Sequence, residues 1–193
     1  MGRVIIGSIA AAVAMFIIGF IFFATPLYKL GTANLDNSQA AIVQQALAAN
    51  LPDTGTYFVP GADTPEKTIM YGQGPIATIH YNIGGFPVAD PTVLIGGFVF
   101  EFFIALLIGL ALVTIGDRVH DFASRARLVV IFSIAVSAFT HLGEPIWYHH
   151  DWVHFIYLFV ADALALSAAG LIIARWFLGG VRERAAAEAP RDV

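Results

Sequence analysis

A chain of 193 residues that is 58% hydrophobic and only 12% charged falls outside the range of water-soluble domains, which are about 45–50% apolar and about 25% charged. Its formal charge of -4 is small and scattered, which leaves no basic footprint for nucleic acid. The absence of cysteine excludes disulfides, thiolate metal sites and thiol chemistry.

Crossing a bilayer core takes roughly 20 apolar residues, because about 30 Å must be covered at about 1.5 Å per residue. Val4 to Ala24 is the first such stretch and carries no charge. It is longer than the roughly 7–15 residues of a signal-peptide core, and Phe22 spoils the small-residue cleavage pattern that would end at Ala24, so it reads as a retained anchor. Pro26 ends it.

Residues 25–91 are too many for a plain connection and should fold. Asp36 with Gln39 is a capping box, and Ile42, Val43, Ala46, Leu47 and Leu51 recur at helical spacing up to Pro52. Thr56 to Val59, Thr68 to Tyr71 and Ile76 to Tyr81 are short β-branched and aromatic runs, and each is expected to be a strand. Pro60-Gly61 and Gly72-Gln73-Gly74-Pro75 are the turns between them. This is a small α+β lid with too little core to stand alone, so it should rest on the ends of the spans. His80, on its last strand, reads as a surface residue.

Asp90 and Pro91 supply an N-cap and a first-turn proline for the second span, Thr92 to Ile115, which is charged only at Glu101. A short charged connection, Gly116 to Arg127, leads to the third, Leu128 to about Tyr148, which becomes polar at Thr140, His141 and Glu144. The fourth runs from Trp152 to about Leu178, interrupted by His154 and Asp162. Its small residues, among them Ala161, Ala165, Ala169 and Gly170, allow close helix approach.

The fold class expected is therefore an all-α membrane protein, a four-transmembrane-helix bundle with a small α+β extracytoplasmic lid between helices 1 and 2. Its parts are helix 1 (1–24), the lid (25–91), helices 2 to 4 (92–178) and a frayed cytoplasmic tail (179–193). Alternating spans put Arg3, Arg118, Arg125, Arg127, Arg175, Arg182, Arg184 and Arg191 on one side, and only Lys29 and Lys67 on the other. Positive charge is retained on the cytoplasmic side, so both termini should be cytoplasmic and residues 25–91 periplasmic.

Ionisable residues inside spans are costly and point to function by default. Glu101 and Asp162 lie about 14 and 15 Å below the outer ends of their helices, and His141 lies in the outer half of the third span. The three can form one outward-opening polar cluster, serving as a ligand or proton site, or as interhelical hydrogen-bonding glue. The outer rim HLGEPIWYHHDWVH adds Glu144, His149, His150 and His154, which with His141 are metal-ligand types at one-turn spacings. Trp147, Tyr148 and Trp152 beside them also suit an interfacial belt. A b-type haem would need His141 and His154 at matched depth.

LPDTGTYFVPG at 51–61, GQGPIATIHY at 72–81 and HLGEPIWYHHDW at 141–152 together resemble a pattern of uncharacterised proteobacterial four-span inner-membrane proteins. The resemblance implies a bacterial inner-membrane location and carries no activity, ligand or site residue with it. Claudin-type proteins share the layout of a large first outer loop, but they carry a cysteine pair there and this chain has none.

No nucleophile elbow, phosphate loop or dinucleotide fingerprint occurs, which favours a non-enzymatic protein that binds a partner subunit, a second copy of itself or a small ligand. Two alternatives stand beside it. One is a metal- or haem-binding redox protein using the histidine rim, and the other a proton-coupled carrier using Glu101 and Asp162.

Overall fold

The computed structural model describes residues 2–178, so the tail expected from 179 onward lies outside the described residues. Four helices are long and apolar enough to cross a membrane. They are α1 (Gly2–Phe23), α4 (Pro91–Thr114), α5 (Phe122–His141) with its short continuation α6 (Gly143–Tyr148), and α7 (Trp152–Ile172), which runs on as a π-helical turn over Ile173–Phe177. The lid between α1 and α4 contains α2 (Asn37–Asn50), β1 (Gly55–Val59), α3 (Pro65–Gln73) and β2 (Ala77–Tyr81).

Three of the long helices start on aspartate. Asp90, Asp121 and Asp151 accept hydrogen bonds from the backbone N–H groups of Thr92, Ser124, and Val153 and His154, so each satisfies donors that the first turn leaves free. The third span is irregular where its sequence turns polar. Pro145 has no N–H to give the His141 carbonyl four residues back, so α5 stops at His141 and the chain re-forms as α6.

Packing follows the small residues. Gly7, Ser8, Ala11 and Ala12 are buried on α1, Ala105 and Gly109 on α4, and Ala161, Ala169 and Gly170 on α7. Through them α1 packs against both α4 and α7, while α5 packs against α7. A Cβ on Gly170 would lie 2.4 Å from Val129 Cγ1, and one on Gly109 would lie 2.9 Å from Val4 Cγ1. The small-residue stripe of the fourth span is thus used inside the chain. At the same end, Arg125 ties the α4–α5 connection to the end of α7 by donating from Nε to the Val119 carbonyl (2.9 Å) and from Nη1 to the Leu178 carbonyl (3.1 Å).

The lid departs from expectation at one element. Thr68 to Tyr71 is not a strand: it lies within α3, whose start is set by the Thr64 hydroxyl accepting from Lys67 N–H and by Pro65 in the first turn. Those end signals outweigh the β-branched and aromatic content of the run. β1 and β2 form a two-stranded antiparallel hairpin with Tyr57 opposite Ile79. α2 forms behind the expected capping box, with Asp36 Oδ1 accepting from Gln39 N–H (2.8 Å) and Gln39 Oε1 accepting from Asp36 N–H (3.1 Å). No residue of α2 is buried.

Candidate functional site

α4 packs mainly on α1 and meets α7 only lightly, and α5 packs on α7, so α4 and α5 leave open space between them. The result is a cleft of ≈ 460 Å³ lined by α4 (Ile104, Leu107, Ile108, Ala111, Ile115), α5 (Leu128, Val129, Phe132, Ser133, Val136) and Leu166 of α7. Every lining side chain except the Ser133 hydroxyl is apolar. The cleft occupies the half of the helices nearer the termini.

Toward the lid from it stand the polar residues of the long apolar helices. Helical periodicity puts Asp162 one turn toward the lid from Leu166, on the same stripe and opposite the exposed Val160 and Leu164. His141 Nε2 and Asp162 Oδ2 are 2.7 Å apart, which joins α5 to α7. The His141 side chain is 13% exposed and that of Asp162 47%, so the carboxylate keeps an open face.

Glu101 comes to the same level, being the eleventh residue of α4 as Asp162 is of α7. It stands on the border between the α1 contact and the cleft, one turn toward the lid from Ile104 and Ala105. Its Oε1 would lie 3.6 Å from a Cβ on Gly19 of α1, and its Oε2 is buried with no hydrogen-bond partner among the described residues. The expected trio is therefore a bonded pair, His141 and Asp162, with Glu101 apart from it: no hydrogen bond joins them among the described residues.

The five rim residues weighed as metal ligands disperse. His141 is taken by Asp162. His150 Nε2 bonds with Thr78 Oγ1 of β2 at 2.9 Å, while its Nδ1 lies 3.2 Å from Glu144 Oε2, out of hydrogen-bond alignment. His154 Nδ1 donates to the Gly31 carbonyl at 2.7 Å. His149 ends α6 in the left-handed region, at φ 58°, with its ring exposed. Among the described residues no group of three His, Cys, Asp or Glu could hold a metal ion. The haem pair is likewise divided, His141 against α7 and His154 against the turn after α1.

What the rim residues do hold is the lid. Phe58 of β1 stacks on Tyr148 (centroids 5.9 Å apart), Tyr148 on His150 (5.6 Å) and His150 on Phe155 (5.4 Å), a run of four rings from hairpin to span. Under this contact lies a smaller cavity of ≈ 260 Å³, lined by Phe58, Pro60, Tyr71, Thr78 and Tyr148 among others. A second attachment fixes the 3₁₀ turn Pro26–Leu30. There the Tyr157 hydroxyl donates to the Phe22 carbonyl at 2.6 Å, and the ring lies so close that a Cβ on Gly31 would be 2.5 Å from its Cγ.

Sequence reading did not single out Thr78, Tyr157 or the cleft. Ile104, Ile108, Ala111 and Ile115 do recur at helical spacing, but on a helix apolar all round that recurrence marks no face. No family model, curated protein or solved structure matches this chain.

Proposed function

We propose that this chain is a bacterial inner-membrane protein with cytoplasmic termini and a periplasmic lid, and that it acts by binding a small amphipathic ligand within the bilayer. The observation that carries the reading is the cleft between α4 and α5. Its lining is apolar from Ile115 to Leu166, and Glu101 and the His141–Asp162 pair lie about a helical turn beyond it toward the lid. Pockets that are apolar over most of their lining and carry a few polar groups at one end select molecules with an apolar body and a polar head. The arginines cluster at the end of the helices that carries the termini, which supports the orientation.

The test is native mass spectrometry of the protein released from its own membranes. The expected spectrum shows one discrete adduct that survives lipid stripping and is lost in Ala111→Trp, a variant that fills the cleft from an exposed position. A spectrum without an adduct, or an adduct that the tryptophan leaves in place, defeats the reading. An adduct with the mass of a second polypeptide would replace the small ligand with a partner subunit.

A second reading rests on the 2.7 Å His141–Asp162 contact. An imidazole and a carboxylate in contact within an apolar helix are the residue types from which proton relays are built, as a proton-coupled carrier requires. Under that reading Glu101→Gln and Asp162→Asn abolish ligand-dependent proton uptake in proteoliposomes, and retention of uptake in both variants removes it.

A further inference from the structure

We infer that the cleft recognises a neutral oxygen inside its ligand: the bound molecule carries an uncharged carbonyl within its apolar body, and the Ser133 hydroxyl donates to it. The inference rests on the cleft-binding reading above and adds the kind of polar group bound and its place along the molecule.

Ser133 is the one lining residue with a polar side chain, and no lining residue is charged. It is only 6% exposed. Elsewhere in the long helices Ser8, Thr114 and Thr140 turn their hydroxyls back to the carbonyl four residues before. Ser133 makes no such bond to Val129, and none to any other described residue, so its hydroxyl is left to whatever occupies the cleft it lines. A polar group held out of water costs stability unless it finds a partner, which gives that hydroxyl a reason to select one.

The lining also decides the charge. A charged group lying against it would lose its water and meet no opposite charge, so the part of the ligand inside the cleft is neutral. Between neutral groups the count of hydrogens separates a carbonyl from an alcohol. Ser133 has one hydrogen to donate, and a carbonyl accepts it while bringing no donor of its own. A ligand hydroxyl would bring a second hydrogen into a lining that offers no other polar side chain to accept it.

The position of Ser133 sets where that oxygen lies. On α5 the lining continues to Leu128 in one direction and to Val136 in the other. Those two residues lie roughly 7.5 and 4.5 Å along the helix from Ser133, at about 1.5 Å per residue. Apolar wall therefore flanks the hydroxyl on both sides, and the ligand has apolar segments on both sides of its carbonyl. Ser137, one turn on, also has a buried hydroxyl without a partner among the described residues, but it does not line the cleft. It serves as the control position.

The experiment uses the full chain in nanodiscs of zwitterionic lipid, with empty nanodiscs subtracted. Four radiolabelled probes of equal chain length are compared: tridecane, the ketone with its carbonyl at the central carbon, the methyl ketone with its carbonyl next to the chain end, and tridecanoate. The central ketone is expected to bind about fivefold more tightly than tridecane, the worth of one neutral hydrogen bond. The methyl ketone should gain less and tridecanoate should bind most weakly. Ser133→Ala should bring the central ketone down to the level of tridecane and leave tridecane unchanged, whereas Ser137→Ala should keep the preference. Thermal unfolding run in parallel confirms that both variants are folded.

Equal binding of tridecane and the central ketone, both removed by Ala111→Trp, overturns the inference and leaves the cleft reading standing. A preference for the methyl ketone or for tridecanoate does the same, because the oxygen would then lie at an end or carry charge. A preference for the central ketone that survives Ser133→Ala, or that Ser137→Ala removes equally, also overturns it. Failure of all four probes to bind above empty nanodiscs defeats the cleft reading together with the inference.

Discussion

The two ends of the helical bundle are held together by different physics. Near the termini the helices meet through glycine, alanine and serine, and the contact between Gly170 and Val129 leaves no room for a methyl group. Near the lid they meet through directed bonds: His141 to Asp162, His154 to the Gly31 carbonyl and Tyr157 to the Phe22 carbonyl. If the helices lie in lipid, where no hydrophobic drive acts between them, one end depends on shape and the other on hydrogen-bond partners. Close packing tolerates no change of volume, whereas a hydrogen bond between spans contributes modestly and can be remade.

The contrast can be broken most directly at Gly170. Replacement by alanine is expected to destabilise the bundle by about 3 kcal/mol, the upper end of the usual overpacking cost, because Val129 cannot retreat from a Cβ 2.4 Å away. Unfolding in mixed micelles measures it, and Val129→Ala in the same chain should recover most of the loss. If Gly170→Ala is silent, the terminal end is not held by shape.

Asp162→Leu is expected to cost less, about 0.6 and at most about 1.7 kcal/mol, the range for interhelical hydrogen bonds in membranes. The same unfolding assay decides it, and a loss matching that of Gly170→Ala would erase the distinction between the ends. Tyr157→Phe should act more locally still. It frees the Phe22 carbonyl and loosens the turn that follows, so trypsin should cut at the exposed Lys29 faster while the unfolding midpoint of the bundle hardly moves.

The smallest effect is expected in the lid helix. The Ser38 hydroxyl and, next, the Gln39 backbone N–H hold the Asp36 carboxyl below the usual carboxylate range. A lowered value in the folded state means that this contribution is present above the ordinary pKa of about 3.9 and fades as pH falls through the lower folded-state value. Amide exchange, corrected for its intrinsic pH dependence, should therefore quicken across α2 in that acidic window and not across α1 or α7. Asp36→Ala should show the faster exchange at every pH, and exchange in α2 that ignores both changes would show that the capping box does not hold this helix.

The spans were legible because their signal is length and composition, which no tertiary contact can cancel. The capping box at Asp36 and the aspartate–proline start of α4 were legible because the bonds that make them are local. Thr68 to Tyr71 was misread as a strand because residue type was weighed above the Thr64–Pro65 start signal just before it.

The candidate site was legible only in part. Depth along a helix placed Glu101 and Asp162 at one level, but which faces meet depends on the order in which the helices pack. His154 finds its partner at Gly31, 123 residues away, and His150 finds Thr78, 72 residues away. Close spacing in HLGEPIWYHHDWVH therefore said little about shared partners. The Pro145 break turns the rim residues in different directions, and the lid and the turn after α1 claim them separately.

The 3₁₀ turn after α1 has a mechanical consequence. Its anchorage through His154 and Tyr157 means that the chain leaves the α1–α7 pair at one point, rejoins the bundle through Asp90 at the head of α4, and is pinned between the two by Thr78 on His150. The segment from Gly31 to Asp90 is thus a strap across the mouth of the bundle with three points of attachment. The lid is thus joined to the bundle at three places and not by its covalent ends alone.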